Sequence, residues 1–153
     1  MKIFIHGLES SGKGFKGRFF KEIFPEILTP DFRGELFERM SELKKILKDS
    51  SDISIIGSSF GGLMGTLYTL ENPLKVKKLI LLAPAISFKK ELFENREITV
   101  ETIIYHGKHD KIVPIEPVKK LAEVLFSKLI FNETDDDHML HKTVKEVDWK
   151  SLI

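Results

Sequence analysis

Apolar residues fall into two alternating patterns along this chain. Short, nearly unbroken apolar runs, rich in β-branched residues, occupy Lys2–His6, Glu26–Thr29, Asp52–Ile56, Lys78–Leu82, Glu101–Tyr105 and Lys128–Phe131. A strand with one wet face alternates apolar with polar residues, whereas a continuous run suits a strand buried on both faces. Between the runs, apolar residues recur at helical spacing. Leu36, Met40, Leu43 and Leu47 lie 4, 3 and 4 positions apart within Glu35–Lys48 and make one stripe. Phe15, Phe19 and Ile23 make another in Gly14–Ile23, and Val118, Leu121, Ala122 and Leu125 a third after Pro114. Pro114 and Pro117 suit a loop and the first turn of that helix. Alternating strand and helix predicts an α/β fold: a doubly wound parallel sheet of about six strands with helices on both faces. No repeat, low-complexity tract or long linker divides the 153 residues, so residues 1–153 are expected to form a single domain.

Composition narrows the function classes. The formal net charge is +1, and basic residues occur as scattered pairs, so no charge excess points to nucleic acid or a membrane surface. There is no cysteine, which excludes a disulfide scaffold, a thiol nucleophile and a cysteine zinc site. The apolar start of the chain, Met1–His6, is too short for a signal peptide, and no run reaches spanning length. The expectation is a cytoplasmic protein without nucleic-acid or membrane partners. Its oligomeric state stays open.

Candidate chemistry is densest at Ile55-Ile56-Gly57-Ser58-Ser59-Phe60-Gly61-Gly62. This is Gly-x-Ser-x-Gly with Ser59 at its centre, after a predicted strand and before a helix over Leu63–Leu70, the context in which the motif presents a nucleophile. Gly57 and Gly61 leave room for a strained turn, and the helix N-terminus brings N–H groups and a positive dipole end near the hydroxyl. A glycine-rich strand–helix turn with an incidental serine would look the same in isolation.

A serine needs a base, and the base needs an orienting acid. Asp110 follows the fifth predicted strand in Tyr105-His106-Gly107-Lys108-His109-Asp110, and His138 follows the sixth in Asp135-Asp136-Asp137-His138. Both lie beyond strand C-termini, where the functional groups of open parallel sheets gather. The order Ser59, Asp110, His138 is nucleophile, acid, base. Asp110 could instead cap the following helix, and His138 could be a surface histidine. His109 and His141 are rival bases. The Asp135–Asp137 run with its histidines could hold a metal, but the expectation is no metal and no cofactor.

The first loop, His6-Gly7-Leu8-Glu9-Ser10-Ser11-Gly12-Lys13-Gly14, supports two readings. It fits seven of the eight positions of a phosphate-binding P-loop, with Gly14 where Ser or Thr should hold magnesium. In a doubly wound sheet, however, the loops after strands one and three face each other at the switch point. That places the loop beside Ser59, where the backbone N–H of Leu8 or Glu9 pairs with that of Phe60 as an oxyanion hole.

Together these residues resemble the α/β-hydrolase superfamily, in particular its small esterase-like members without a lid domain. The matching segments are His6-Gly7-Leu8, Gly57-Ser58-Ser59-Phe60-Gly61, Leu81-Leu82-Ala83-Pro84, Gly107–Pro114 and Asp137-His138, in family order over nearly the whole chain. The resemblance implies Ser59 as nucleophile, His138 as base, Asp110 as acid, and backbone donors at Leu8 and Phe60. It implies hydrolysis of small carboxylic esters or thioesters through an acyl-enzyme. Alternatives are a nucleotide-binding protein using the 7–14 loop and a non-catalytic binding scaffold on the same fold. The chain departs from the family at its start, which matches the family's third strand, and at Ser87–Glu97, where a cap is usually inserted. In that short stretch Phe88, Leu92 and Phe93 have the spacing of one helical face, so Phe88 and Phe93 are expected substrate contacts, unless they pack on the core.

Overall fold

A computed structural model describes all of residues 1–153. Five strands, β1 (Lys2–Ile5), β2 (Ile53–Ser58), β3 (Val76–Leu82), β4 (Glu101–Gly107) and β5 (Leu129–Thr134), form one parallel sheet in the order β1-β2-β3-β4-β5. The second predicted strand, Glu26–Thr29, is reduced to a single bridge outside β1. There the Phe4 N–H donates to the Leu28 carbonyl (2.8 Å) and the Leu28 N–H to the Lys2 carbonyl (3.0 Å). Pro25 and Pro30 bracket this segment; each lacks an N–H and fixes its own φ, so the pairing has no room to extend. The chain therefore crosses outward from β1 and returns to β2 on the other side of it, as a doubly wound sheet requires.

The helices are α1 (Phe15–Ile23), α2 (Leu36–Ile46), α3 (Phe60–Glu71), α4 (Ile115–Leu125), α5 (His141–Glu146) and α6 (Trp149–Leu152), and a 3-10 segment spans Ala85–Phe93. They divide between two apolar layers. Along β1 and β2, Ile3, Ile5, Ile53 and Ile55 enter one layer with Leu43 of α2, Leu63 of α3 and Val118 of α4. Phe4 and Ile56 enter the other with Phe20 of α1, Val144 of α5 and Trp149 of α6. Every residue of β2 is buried, which is why its sequence runs apolar without alternation. The stripes predicted for α2 and α4 are their buried faces: Met40 and Leu43, then Val118, Ala122 and Leu125.

Between β3 and β4 the structure corrects one expectation. Phe88 and Phe93 do not share a helical face. The 3-10 segment breaks at Lys89 (φ −131°, ψ 35°), leaving Phe88 58% exposed and turning Phe93 into the larger core layer, 3% exposed. No helix is long and apolar enough to cross a membrane.

Candidate active site

The loops leaving β1, β2, β4 and β5 meet at the C-terminal edge of the sheet. β2 ends at Ser58 and α3 begins at Phe60, so Ser59 alone makes the turn between them. Its φ of 54° and ψ of −115° are strained for a side-chain-bearing residue, at a cost of about 1–3 kcal/mol. Four hydrogen bonds hold it there. The Ser59 N–H donates to the Leu82 carbonyl (2.9 Å), and the Ser59 carbonyl accepts from the N–H groups of Gly62 (2.9 Å), Ala85 (3.0 Å) and Leu63 (3.3 Å). A side chain at Gly61 would overlap the backbone at the end of β1, with its Cβ 2.5 Å from the Ile5 carbonyl carbon and 2.7 Å from the His6 carbonyl oxygen. Glycine there lets the start of α3 lie against the first loop.

Asp110 sits in the turn after β4. Its Oδ1 accepts the N–H groups of Ile112 (2.9 Å) and Val113 (2.8 Å), so it does cap a turn, though not the helix that follows. That leaves Oδ2 for His138 Nδ1, at 2.7 Å, and His138 Nε2 lies 3.1 Å from Ser59 Oγ. An ionised carboxylate only accepts, so Nδ1 carries the proton and Nε2 is free to accept from the hydroxyl. The Asp110 side chain is fully buried, and that of His138 is 13% exposed.

The acidic run has three separate tasks. Asp136 Oδ2 accepts the N–H and the hydroxyl of Thr143 (2.9 Å each) at the start of α5. Burial pushes its carboxyl up, but these bonds and the Asp137 N–H outweigh that and hold it below its ordinary range. Asp137 Oδ1 accepts the Met139 N–H (2.9 Å), which curls the chain around His138. Asp135 reaches outward to His109 Nε2 (2.8 Å), both side chains being largely exposed. His109 is thus turned away from Ser59, and His141 packs edge-on against Phe15, ring centroids 4.4 Å apart. No group of three His, Asp or Glu side chains converges as metal ligands.

The first loop lies where the switch-point argument places it. A Cβ added to Gly7 would contact Ser59 Cβ at 3.4 Å and Ser59 Oγ at 3.9 Å. Leu8 is exposed and its N–H has no acceptor within the protein. Phe60 is the first residue of α3, so its N–H has none within the helix. The same loop is poorly suited to a phosphate, because the Gly12 N–H already donates to the Asp31 carboxylate (2.7 Å).

Two buried histidines carry structure that the sequence motifs do not express. His6 Nε2 accepts the Phe32 N–H (2.9 Å), so Nδ1 holds the proton and donates to the Gly7 carbonyl (2.6 Å). This ties the first loop to the segment before α2. Burial pushes its pKa down, with the nearby Arg39 adding to that, against the Gly7 carbonyl. His106, on β4, is fully buried beside Asp110. One signal was available for both: each begins a His-Gly pair at a strand's C-terminal end.

Comparison with known proteins places the family and the fold. A model of a family described as phospholipase/carboxylesterase matches residues 37–150. No curated protein matches the chain in sequence. Among solved structures it is similar to mouse alpha/beta hydrolase domain-containing protein 10, with a TM-score of 0.81 and 17% identity over 99% of this chain and 90% of that one. An esterase from Exiguobacterium antarcticum gives 0.80 and 15%, over 99% and 89%. A predicted CIB-like hydrolase from Thermoplasma acidophilum gives 0.76 and 22%, over 99% and 86%. At these identities the likeness establishes the fold.

Proposed function

This chain belongs to the phospholipase/carboxylesterase family and has the α/β-hydrolase fold, and we propose that it is a serine hydrolase cleaving small carboxylic esters or thioesters through Ser59, His138 and Asp110. The observation that carries this reading is the unbroken row from Ser59 Oγ to His138 Nε2 and from His138 Nδ1 to Asp110 Oδ2, at 3.1 and 2.7 Å.

Ser59 Oγ attacks the acyl carbon while His138 Nε2 takes its proton. Asp110, ionised and held by two backbone N–H groups, stabilises the resulting imidazolium and keeps Nδ1 protonated. The carbonyl oxygen, now negative, is met by the Leu8 and Phe60 N–H groups. Such donors are worth about 3–4 kcal/mol each where this has been measured. The tetrahedral intermediate collapses, His138 returns the proton to the leaving alcohol or thiol, and the acyl group stays on Ser59. Water then attacks the acyl-enzyme by the same route, with His138 as its base. The chemistry calls for no metal or cofactor.

Substrate size follows from the rim. Leu8, Ile112 and Met139 are exposed on loops that carry parts of the site, and Phe88 is exposed on the 3-10 segment after β3. Phe93 lies in the core and contributes packing instead. Such a rim offers a shallow apolar contact to a short acyl group rather than a tunnel.

The experiment is fluorophosphonate labelling. One serine should be modified, peptide mapping should place it at Ser59, and Ser59→Ala should remove both the label and esterase activity. Labelling at Ser58, or no labelling, would overturn the assignment in favour of a non-catalytic scaffold. Micromolar binding of ATP with magnesium, lost in Lys13→Ala, would favour the nucleotide reading.

A further inference from the structure

We propose that His106 is a positioning residue for this site, a neutral imidazole that holds the Val113 carbonyl and so fixes the turn whose N–H groups seat the Asp110 carboxylate on which His138 is aligned. The proposal rests on the triad reading above and adds a fourth side chain to it.

His106 is the penultimate residue of β4, and its side chain is fully buried. Its Nε2 lies 2.8 Å from the Val113 carbonyl oxygen and 3.3 Å from Asp110 Oδ2. The Val113 carbonyl only accepts, so Nε2 carries the proton and donates it there, with the Asp110 carboxylate beside it. Nδ1 has no partner at all, in a site where the ring lies nearly parallel to Phe131 (centroids 6.5 Å apart, interplanar angle 13°). Protonating Nδ1 would bury an N–H with no acceptor, and burial correspondingly pushes the pKa of this histidine down. His106 is therefore a one-sided donor.

An orphaned buried nitrogen destabilises the fold, and a phenylalanine here would avoid that. What the imidazole provides in exchange is at its other end. Val113 donates its N–H to Asp110 Oδ1 and accepts His106 Nε2–H at its carbonyl. The three residues form a hydrogen-bonded chain. The Ile112 and Val113 N–H groups fix Oδ1 only as well as their own turn is held. His106 holds that turn from the strand. Asp110 Oδ2 accepts from His138 at 2.7 Å and has the His106 Nε2–H dipole 3.3 Å away as an electrostatic neighbour.

Two consequences differ from those of a merely space-filling residue. Without the His106 donor Asp110 swings, His138 loses alignment, and kcat falls while KM does not. The Asp110 charge is also less compensated, so it holds imidazolium more tightly and the acid limb of kcat/KM moves to higher pH. Asp136 and Asp137, which precede His138 in the chain, and Lys16, on which both act, are untouched by the substitution.

The test compares His106→Phe with His106→Gln. Phenylalanine keeps a planar ring and removes the donor; glutamine places an N–H close to the position of Nε2. His106→Phe should lower kcat about 10- to 100-fold, the usual loss when an orienting partner is removed. KM should stay within about twofold, and the acid limb should shift upward. His106→Gln should recover most of the rate and the original limb. A folded His106→Phe enzyme with wild-type kcat and pH profile overturns the proposal, as does a folded His106→Gln no better than it. If either variant fails to fold, nitrogen NMR of the wild type decides. His106 should remain the neutral Nε2–H tautomer from pH 5 to 8, and titration or the opposite tautomer overturns the proposal. Fluorophosphonate labelling of the wild type reports on the triad separately, so the two readings can fail independently.

Discussion

Gly61→Ala is a sharp test of how this active edge is assembled. Gly61 is the second residue of α3, two residues beyond Ser59, and it faces the backbone at the end of β1. A methyl carbon there would sit 2.5 Å from the Ile5 carbonyl carbon and 2.7 Å from the His6 oxygen, with the Ile5 oxygen closer still. Ordinary carbon contacts begin near 3.5 Å, so α3 and the first loop must separate by about 1 Å. Backbone cannot rotate out of the way as a side chain can. Overpacking of this kind costs about 1–3 kcal/mol or more, against about 1 kcal/mol gained in helix propensity. The net loss, up to about 2 kcal/mol, would lower Tm by up to roughly 8 °C in a domain of this size. The larger effect should be on turnover. The same displacement parts the Leu8 N–H from the Phe60 N–H, and a misplacement of about 1 Å can cost about 100-fold. Gly65→Ala is the control: its Cβ meets side-chain atoms, Ile55 Cγ2 at 3.0 Å and Leu79 Cδ1 at 3.5 Å, which can give way. Thermal melts and steady-state kinetics on a short p-nitrophenyl ester would be measured for both. The reasoning fails if Gly61→Ala is as active as the wild type, or if Gly65→Ala is the more damaging change.

Asp110→Asn should leave the fold intact and lower kcat by orders of magnitude, approaching about 10⁴-fold, because the amide cannot keep His138 in the required tautomer; wild-type kcat in a folded variant would exclude Asp110 as the acid. His138→Ala should be comparably severe, whereas His109→Ala and His141→Ala, whose imidazoles are bound elsewhere, should be mild in the same assay. His6 and His106 are both depressed in the folded state by burial, so the unfolded chain binds more protons below about pH 6.5. Stability should be fully present above that value and fall as the pH drops through it, by at most about 1.4 kcal/mol per pH unit for each histidine; urea midpoints that do not change between pH 7.5 and 5.5 would contradict this. On p-nitrophenyl esters kcat/KM should peak at acyl chains of about two to six carbons, since an open rim adds little of the roughly 0.8 kcal/mol available per buried methylene, and a maximum at long chains would reveal a tunnel.

The strand–helix alternation and the elbow were legible because each rests on short-range constraints. β2 reads as continuous apolar residues because both of its faces are covered, and Gly57-Ser58-Ser59-Phe60-Gly61 reads as a nucleophile turn because nothing bulkier fits its close contacts. The segment Glu26–Thr29 has the composition of a strand, but its flanking prolines remove the N–H groups that would lengthen the ladder. At Phe88, Leu92 and Phe93, spacing predicts one face and the backbone breaks it, because a kink at Lys89 resets the phase. Periodicity carries no information about such a break when no glycine or proline marks it.

The remaining gap concerns identical residues placed in different tasks. Asp135, Asp136 and Asp137 are indistinguishable as a tract, yet one pairs with an exposed histidine, one anchors α5 and one turns the chain around His138. The five histidines divide in the same way. His109 and His141 stay outside the site, His138 bridges Ser59 and Asp110, and His6 and His106 are buried with a single neutral tautomer each. What separates them is the direction in which each side chain leaves its strand end, and that depends on the register of neighbouring loops. Gly107 shows the dependence directly. A Cβ there would lie 2.7 Å from the Asp137 oxygen, so the loop bearing His138 can rest on the end of β4 only because residue 107 has no side chain. The approach of His138 to Asp110 thus depends on a glycine on a different strand from the one that His138 follows, a relation that no local pattern in the sequence expresses.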